Sequence, residues 1–237
     1  IGSAENKDAA TGCTVILCEQ GMAAGLDVRG GGPASRETEL LKPTAAAEAI
    51  HAVLLSGGSA FGLDAAGGVM EYLEERNIGF NVGITKVPLV CESCLFDLMV
   101  GDHRVRPDKA MGYAACENAE KGNYRDGNFG AGTGATVGKL YGPEFCMKSG
   151  IGSYAVQIGE LQVGAIVAVN ALNALSAEGL VYRVHGKGSF VCTTQNSLPG
   201  PLGTEQSAAR RHIALITQGW GNHFSQNLTI EISQATL

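Results

Sequence analysis

The stretch that most constrains the fold lies at residues 54–75, where an apolar strand runs through glycines into a helix. It reads LLSGGSAFGLDAAGGVMEYLEE, and one helical face carries the apolar residues Leu63, Ala66, Met70 and Leu73. The small residues at positions 56–59 leave backbone N–H groups at the helix start, where partial positive charge collects. Such a turn can hold a carboxylate, a phosphate or a developing oxyanion. The alternative is a tight strand-to-helix connection in which glycine only permits close packing.

The composition favours a well-packed chain with part of its surface covered. The 237 residues include 34 glycines, which lie among Val, Ile, Leu and Ala without any repeat period. This distribution indicates close strands and tight turns. Charged residues make up 17%, against roughly 25% in an average protein. We therefore expect a single domain over residues 1–237 that forms a homo-oligomer.

Charge and hydropathy exclude two classes of partner. The net charge is −6 and no basic stripe is present, so nucleic-acid binding is not expected. No stretch approaches the ~20 apolar residues of a membrane span, so no membrane partner is expected. The first residues, IGSAENKDAATG, are polar and lack the plan of a signal peptide.

The seven cysteines indicate a reducing compartment. Their number is odd and most lie inside apolar runs, as buried free thiols do, so we expect a cytoplasmic protein. Cys91 and Cys94 form a C-x-x-C pair, but no second pair or suitably spaced histidines accompany it. Neither a metal site nor a redox role is therefore expected for this pair.

The order of predicted elements favours an α+β fold over a doubly wound sheet, because strands and helices mingle without a strict βαβ rhythm. Strands are predicted at residues 12–18, 26–29, 52–55, 87–90, 95–99, 150–156, 164–170, 190–194 and 228–233. Helices are predicted at residues 35–50, 62–76, 110–121 and 204–218.

Common catalytic and nucleotide motifs fit poorly. Around Ser59 the last glycine of a G-x-S-x-G nucleophile elbow is missing. A phosphate-binding P-loop fails because Leu140 follows Lys139, and a relaxed dinucleotide pattern at residues 130–135 lacks a convincing strand before it. The histidines are scattered and give no triad order.

Seven stretches nevertheless resemble one family in sequence and in order. They are TGCTVILCEQG, LDVRGGGPASRETELL, HAVLLSGGSAFGLDAAGGVMEYLEE, VPLVCESCLFDLMVGD, RPDKAMGYAA, GNFGAGTGATVGK and VGAIVAVNA, which together extend over residues 11–171. The chain resembles the self-processing N-terminal-nucleophile aminopeptidases, a group that includes L-aminopeptidase/D-Ala-esterase-amidases, β-peptidyl aminopeptidases and nylon-oligomer hydrolases. Beyond Leu172 the resemblance is thinner.

The resemblance implies an αββα layered sandwich whose precursor cuts itself and exposes an N-terminal Ser or Thr. That residue attacks small peptides, amides or esters. A hydroxyl is a weak nucleophile, whereas a free α-amino group titrates at roughly 7.7–8.0 and can act as general base on the same residue. No histidine triad, metal or organic cofactor is then required.

The cut falls, by this resemblance, between Gly188 and Ser189. The sequence Gly-Ser-Phe-Val-Cys has the form of the serine branch, so Ser189 is the expected nucleophile. Thr193 or Thr194 is the alternative, since other members cut before a Thr-Thr pair. Cleavage would give an α chain of residues 1–188 and a β chain of residues 189–237.

Four further residues correspond to catalytic positions of the family. Asn170 matches an asparagine that donates to the oxyanion, and Lys139 matches a lysine near the nucleophile. Ser225 fits a C-terminal motif, but Asn227 stands where an acid is usual, and an amide cannot carry negative charge. This departure and the thinner match beyond Leu172 keep open a non-catalytic binding or assembly protein. An acyltransferase is a further alternative, because the ornithine acetyltransferases share the fold and the self-cleavage.

Overall fold

A computed structural model describes residues 1–29, 33–139, 142–158, 161–170 and the strand at 227–232. It contains thirteen strands in these ranges: β1 Gly2–Asn6, β2 Thr11–Met22, β3 Ala24–Arg29, β4 Ser35–Arg36, β5 Ile50–Ser56, β6 Phe80–Asn81, β7 Lys86–Val87, β8 Val90–Cys94, β9 Thr136–Val137, β10 Met147–Lys148, β11 Ile151–Ile158, β12 Leu161–Ala168 and β13 Asn227–Ile232. The two α-helices are α1 Ala65–Glu75 and α2 Lys109–Glu120, and a 3₁₀ helix, Ser59–Asp64, leads into α1. The described elements therefore confirm an α+β fold.

The central element is a five-stranded sheet in the order β1-β2-β5-β8-β4. Only β5 and β8 run parallel, and the other neighbouring strands are antiparallel. Strand β5 reads IHAVLLS and is buried along its whole length. Such a continuous apolar strand requires cover on both faces of the sheet.

The two α-helices cover one face of this sheet. Side chains from alternate positions of β2 and β5, such as Val15 and Leu54, pack against Val69 and Tyr72 of α1 and Cys116 of α2. The alternation follows from the pleat of a strand, which sends successive side chains to opposite faces. The remaining positions of β5 therefore face the other way, toward a second apolar cluster.

The second cluster covers the opposite face. It combines Val53 and Leu55 of β5 with Ile151, Ile166 and Ala168 of the β11–β12 hairpin and with Ala131 of the 3₁₀ helix Gly130–Gly132. Three further two-stranded pairings, β10–β9, β13–β3 and β6–β7, are antiparallel.

Among the described residues, no helix is long and apolar enough to cross a membrane.

Two glycines let α1 and α2 approach closely. A Cβ atom added to Gly112 of α2 would lie 2.0 Å from the carbonyl oxygen of Ala65, and one on Gly68 of α1 would lie 1.8 Å from that of Lys109. Real Cβ atoms do not come so near to backbone, so both positions need glycine. The close packing predicted from the glycine content is present at this contact.

Replacing Gly112 with alanine is expected to destabilise the protein by about 1–3 kcal/mol, because the helices must move apart to admit one methyl group. Gly67 is the matched control, since a Cβ there meets nothing nearer than 3.8 Å. Gly67→Ala is expected to raise stability by up to about 1 kcal/mol through helix propensity. Denaturant unfolding compares the two variants, and equal effects would contradict the close approach.

Two predicted elements are wrong. Instead of a helix over residues 35–50, the structure has the short strand β4 and a four-residue 3₁₀ helix, Thr38–Leu41, which buries no residue. Residues 95–99 are not a strand, because the chain leaves the sheet after Cys94 and turns, with Val100 N–H donating to the Asp97 carbonyl oxygen at 2.9 Å. The predicted elements at 190–194 and 204–218 lie outside the described residues.

Candidate active site

The three backbone N–H groups of the glycine turn at residues 57–59 all donate to acceptors within the protein. Gly57 N–H donates to the Gly12 carbonyl oxygen at 2.8 Å, and Ser59 N–H donates to that of Leu95 at 2.8 Å. Gly58 has a φ of +79°, and its N–H donates to Asp97 Oδ1 at 2.7 Å. The turn therefore holds a carboxylate, as its sequence allows, but the carboxylate belongs to Asp97. These three N–H groups do not form a site for an external anion.

Two residues assigned from separate stretches of sequence come into direct contact beside this turn. Lys139 follows β9, Asn170 follows β12, and Lys139 Nζ donates to Asn170 Oδ1 at 2.8 Å across 31 positions of chain. Lys139 Nζ also donates to the Asn170 carbonyl oxygen at 3.3 Å and to that of Thr136. The half-buried ammonium is thus surrounded by oxygen acceptors.

The Asn170 amide is held in one orientation. Its Oδ1 accepts from Lys139 Nζ and from Thr136 N–H, the latter at 3.1 Å. Its Nδ2 donates to the Phe96 carbonyl oxygen at 2.7 Å. The side chain is fully buried, so these contacts fix both ends of the amide. An amide nitrogen carries two hydrogens, and Phe96 takes only one of them.

Burial tunes the Lys139 amine. It lowers the pKa of Lys139 to about 8, and the nearby Cys146 acts in the opposite direction. Desolvation disfavours an ammonium, which is the usual cause of such a shift. The amine can therefore change its charge near pH 8, a property that general acids and bases at functional sites often have.

A second buried acid lies on the helix-facing side of the same sheet. Glu92 Oε1 accepts from Ser56 Oγ at 2.7 Å and from Cys94 Sγ at 3.7 Å. Its Oε2 has no hydrogen-bond partner among the described residues. Burial raises the pKa of Glu92 to about 7, although the Ser56 hydroxyl and the Arg36 charge oppose the shift.

Strand geometry separates the thiols of the C-x-x-C pair. Positions three apart on a strand point to opposite faces, and Cys91 accordingly packs in the second apolar cluster whereas Cys94 contacts Ser56 at 3.0 Å. Both are free thiols. Across the described ranges, no group of three or more His, Cys, Asp and Glu side chains is placed to hold a metal ion.

Of the other predicted site residues, the structure describes only Asn227. Gly188, Ser189, Ser225 and the alternatives Thr193 and Thr194 lie outside the described residues. Asn227 begins β13, and its backbone pairs with Arg29 of β3.

Sequence reasoning assigned no role to Asp97, whose side chain is buried beneath the glycine turn, or to Glu92. The available signal was an acid inside an apolar run, since both occur in VCESCLFDLM. A charged residue in such a run is buried only when it is paired or hydrogen-bonded.

Comparison with known proteins places this arrangement in a family. The profile described as Peptidase family S58 matches residues 1–206. An uncharacterized aminopeptidase of Mycobacterium leprae is 40% identical over 171 residues, which are 69% of this chain and 45% of the relative. A 6-aminohexanoate-oligomer endohydrolase of Kocuria sp. is 31% identical over 175 residues, 74% of this chain and 46% of the relative. The chain thus spans about half the length of these curated relatives.

One solved structure has a fold similar to that of this chain. The Burkholderia sp. beta-aminopeptidase matches with a TM-score of 0.53 at 22% identity, over 76% of this chain and 51% of that protein. The profile match extends over most of the sequence and includes both Lys139 and Asn170. The chain belongs to peptidase family S58.

Proposed function

We propose that the protein is a self-processing hydrolase that releases N-terminal residues from small peptides, amides or esters. Membership of a peptidase family supports this, as do relatives named as an aminopeptidase and as an oligomer endohydrolase. We also propose the αββα layered sandwich for the complete fold. Helices on one face of the five-stranded sheet and strands packed on its other face support that architecture.

The hydrogen bond between Lys139 and Asn170 is the observation that carries the proposal. Their catalytic roles were inferred from two distant stretches, and a role at one site requires that they meet. Where they meet, the Asn170 amide is fully buried and held at both ends, and partial burial lowers the pKa of the Lys139 amine. A fixed amide donor with no need to reorganise is what stabilises an oxyanion most effectively.

In the proposed mechanism Ser189 acts as nucleophile and base. Its free α-amine takes the proton of its own hydroxyl while Oγ bonds to the substrate carbonyl carbon. The carbonyl oxygen becomes an oxyanion that accepts from the second hydrogen of Asn170 Nδ2. When the carbon–nitrogen or carbon–oxygen bond of the substrate breaks, the leaving group takes the proton. Water then attacks the acyl-serine ester, returns the serine hydroxyl and releases the acid.

Three supporting roles complete the proposal. Lys139 holds Asn170 and keeps a titratable donor near the reacting hydroxyl. Ser225 and Asn227 orient the amino terminus of Ser189. Because the Asn227 amide is neutral, we expect it to orient an ammonium less strongly than a carboxylate would.

The mass of the purified full chain tests the cleavage. We expect fragments of residues 1–188 and 189–237, with the active material starting at Ser189. Ser189→Ala is expected to remain intact, because alanine offers no hydroxyl to attack the preceding bond. Thr193→Ala and Thr194→Ala are the matched controls and should still be cut after Gly188.

Three outcomes would contradict parts of this proposal. Cleavage before Thr193 or Thr194 would transfer the nucleophile role to that threonine. An uncut wild-type chain without hydrolysis of aminoacyl amides or esters would favour a binding or assembly protein. Turnover of acetyl-ornithine in preference to aminoacyl amides would indicate acyl transfer.

We further propose a cytoplasmic homo-oligomer. The six cysteines within the described ranges are all free, which supports a reducing compartment. Large apolar side chains such as Ile84 and Tyr154 lie exposed, as expected of surfaces that a further copy covers. Light scattering tests the assembly, and a monomer in solution would exclude it.

A further inference from the structure

The segment that follows β8 is fastened to the glycine turn on both sides of Phe96. On one side, Leu95 N–H donates to the Ser56 carbonyl oxygen at 2.6 Å, and the Leu95 carbonyl oxygen accepts from Ser59 N–H at 2.8 Å. On the other side, the Asp97 side chain accepts from the turn. The Phe96 peptide is therefore held between two fixed neighbours.

Asp97 makes this attachment with both carboxylate oxygens. Oδ1 accepts from Gly58 N–H at 2.7 Å and Oδ2 accepts from Thr11 Oγ1 at 2.7 Å. Burial raises the pKa of Asp97. The hydrogen bonds from Gly58 and Thr11 stabilise the ionised form and oppose part of this rise. A carboxylate is the side chain that can accept from two separate donors with nothing left to donate.

The space around Asp97 leaves it little freedom to move. A Cβ on Gly57 would lie 1.9 Å from Asp97 Oδ2, and one on Gly134 would lie 2.7 Å from Asp97 Cβ. Gly134 belongs to the same segment as Thr136, whose N–H donates to Asn170 Oδ1. Asp97 thus joins the start of β2, the glycine turn and the segment that holds one end of the Asn170 amide.

The other end of that amide depends on Phe96. Asn170 Nδ2 donates to the Phe96 carbonyl oxygen at 2.7 Å, so the position of this carbonyl sets the plane of the amide. A small displacement of the Phe96 peptide would rotate the amide and redirect its second hydrogen. Misplacement of a catalytic group by about 1 Å is enough to lower a rate by about 10²-fold.

We propose that Asp97 is a positioning residue that aims the Asn170 amide through the Phe96 carbonyl. The inference rests on the proposed function, in which Asn170 donates to the oxyanion. It assigns Asp97 no contact with substrate. Its effect on the reaction passes through Asn170.

The first test uses Asp97→Asn in the full chain. Asparagine preserves the size of the side chain but replaces one acceptor oxygen with an NH2 group. It can still accept from Gly58 N–H, but the Thr11 hydroxyl hydrogen loses its acceptor and the bond to Thr11 must reverse or break. We expect kcat to fall by about 10- to 100-fold with KM changed by less than about twofold. Glu92→Gln is the matched control, because Glu92 is a buried acid of β8 whose hydrogen bonds go to Ser56 and Cys94, and it should leave kcat unchanged.

A double-mutant comparison separates positioning from general damage. In an Asn170→Ala background, Asp97→Asn should lower kcat by less than about twofold, since the group that it aims is gone. An equal loss of kcat in both backgrounds would overturn the proposal, and so would an unchanged kcat in the single variant. Thr11→Val removes the hydroxyl that donates to Asp97 without altering the acid, and it should also lower kcat. Thr11→Ser keeps a hydroxyl and should keep the wild-type kcat.

An NMR readout keeps the inference separate from the proposed function. The side-chain NH2 signals of Asn170 are assigned by their loss in Asn170→Ala. We expect Asp97→Asn to speed their hydrogen exchange by at least about tenfold, whereas Glu92→Gln should not. Unchanged exchange in Asp97→Asn would overturn the positioning role even if the enzyme is active. Faster exchange in a protein without hydrolytic activity would support it and contradict only the proposed function.

Discussion

Replacing Asn170 with alanine is expected to lower kcat for aminoacyl amides by about 10²- to 10³-fold, with a much smaller change in KM. Loss of one oxyanion donor typically removes about 2.7–4 kcal/mol of transition-state stabilisation. The amide is fully buried and fixed at both ends, so a neighbouring group cannot readily replace it. Steady-state kinetics on the processed protein measure the effect.

Asn118 supplies the matched control for this substitution. Its Nδ2 donates to the Ser3 carbonyl oxygen at 2.8 Å, so it is another asparagine whose amide holds a backbone carbonyl. Asn118→Ala should lower stability by about 1 kcal/mol through the lost hydrogen bond and leave kcat unchanged. A kcat for Asn170→Ala within about threefold of wild type would remove Asn170 from the mechanism.

The strand-to-helix segment at residues 54–75 was predictable because its information is local. An apolar run followed by small residues and a 3.6-residue period specifies a buried strand, a tight turn and an amphipathic helix, and β5 and α1 occupy those positions. The predicted helix over residues 35–50 lacked such support. Thr38–Leu41 buries no residue, so no core contact stabilises a longer helix, and Pro43 disfavours helical geometry at the preceding Lys42.

The candidate site depended on information that local patterns do not contain. Thr11 meets Asp97 across 86 positions, Gly58 meets it across 39, and Phe96 meets Asn170 across 74. Only the pairing order of the strands brings these residues together. Lys139 and Asn170 were assigned by resemblance to a family, since spacing alone does not single out one lysine and one asparagine. Asp97 emerged only from its contacts.

Glu92 gives the protein a pH dependence that a substitution should remove. Burial raises its pKa from 4.5 to about 7, so the unfolded chain loses this proton before the folded chain does. Below pH 4.5 both states are protonated and Glu92 makes no contribution. As the pH rises from 4.5 to 7, ionisation favours the unfolded state, and above pH 7 the loss is complete. A difference of this size corresponds to about 3 kcal/mol of unfolding free energy.

Glu92→Gln should therefore flatten the stability profile between pH 4.5 and pH 8. Glutamine has the shape of the protonated acid, and its oxygen can still accept from Ser56, but it cannot ionise. The absolute cost of burying an amide is the same at both pH values, so the informative quantity is the change in unfolding free energy between them. We expect wild type to lose about 3 kcal/mol more than the variant over this range, measured by denaturant unfolding. Glu117→Gln, at an exposed position of α2, should follow the wild-type profile. If the unfolding free energies of wild type and Glu92→Gln change with pH in parallel, the prediction is wrong. Burial would then impose no cost on the Glu92 charge, which requires that the folded protein keeps the ionised side chain solvated or paired.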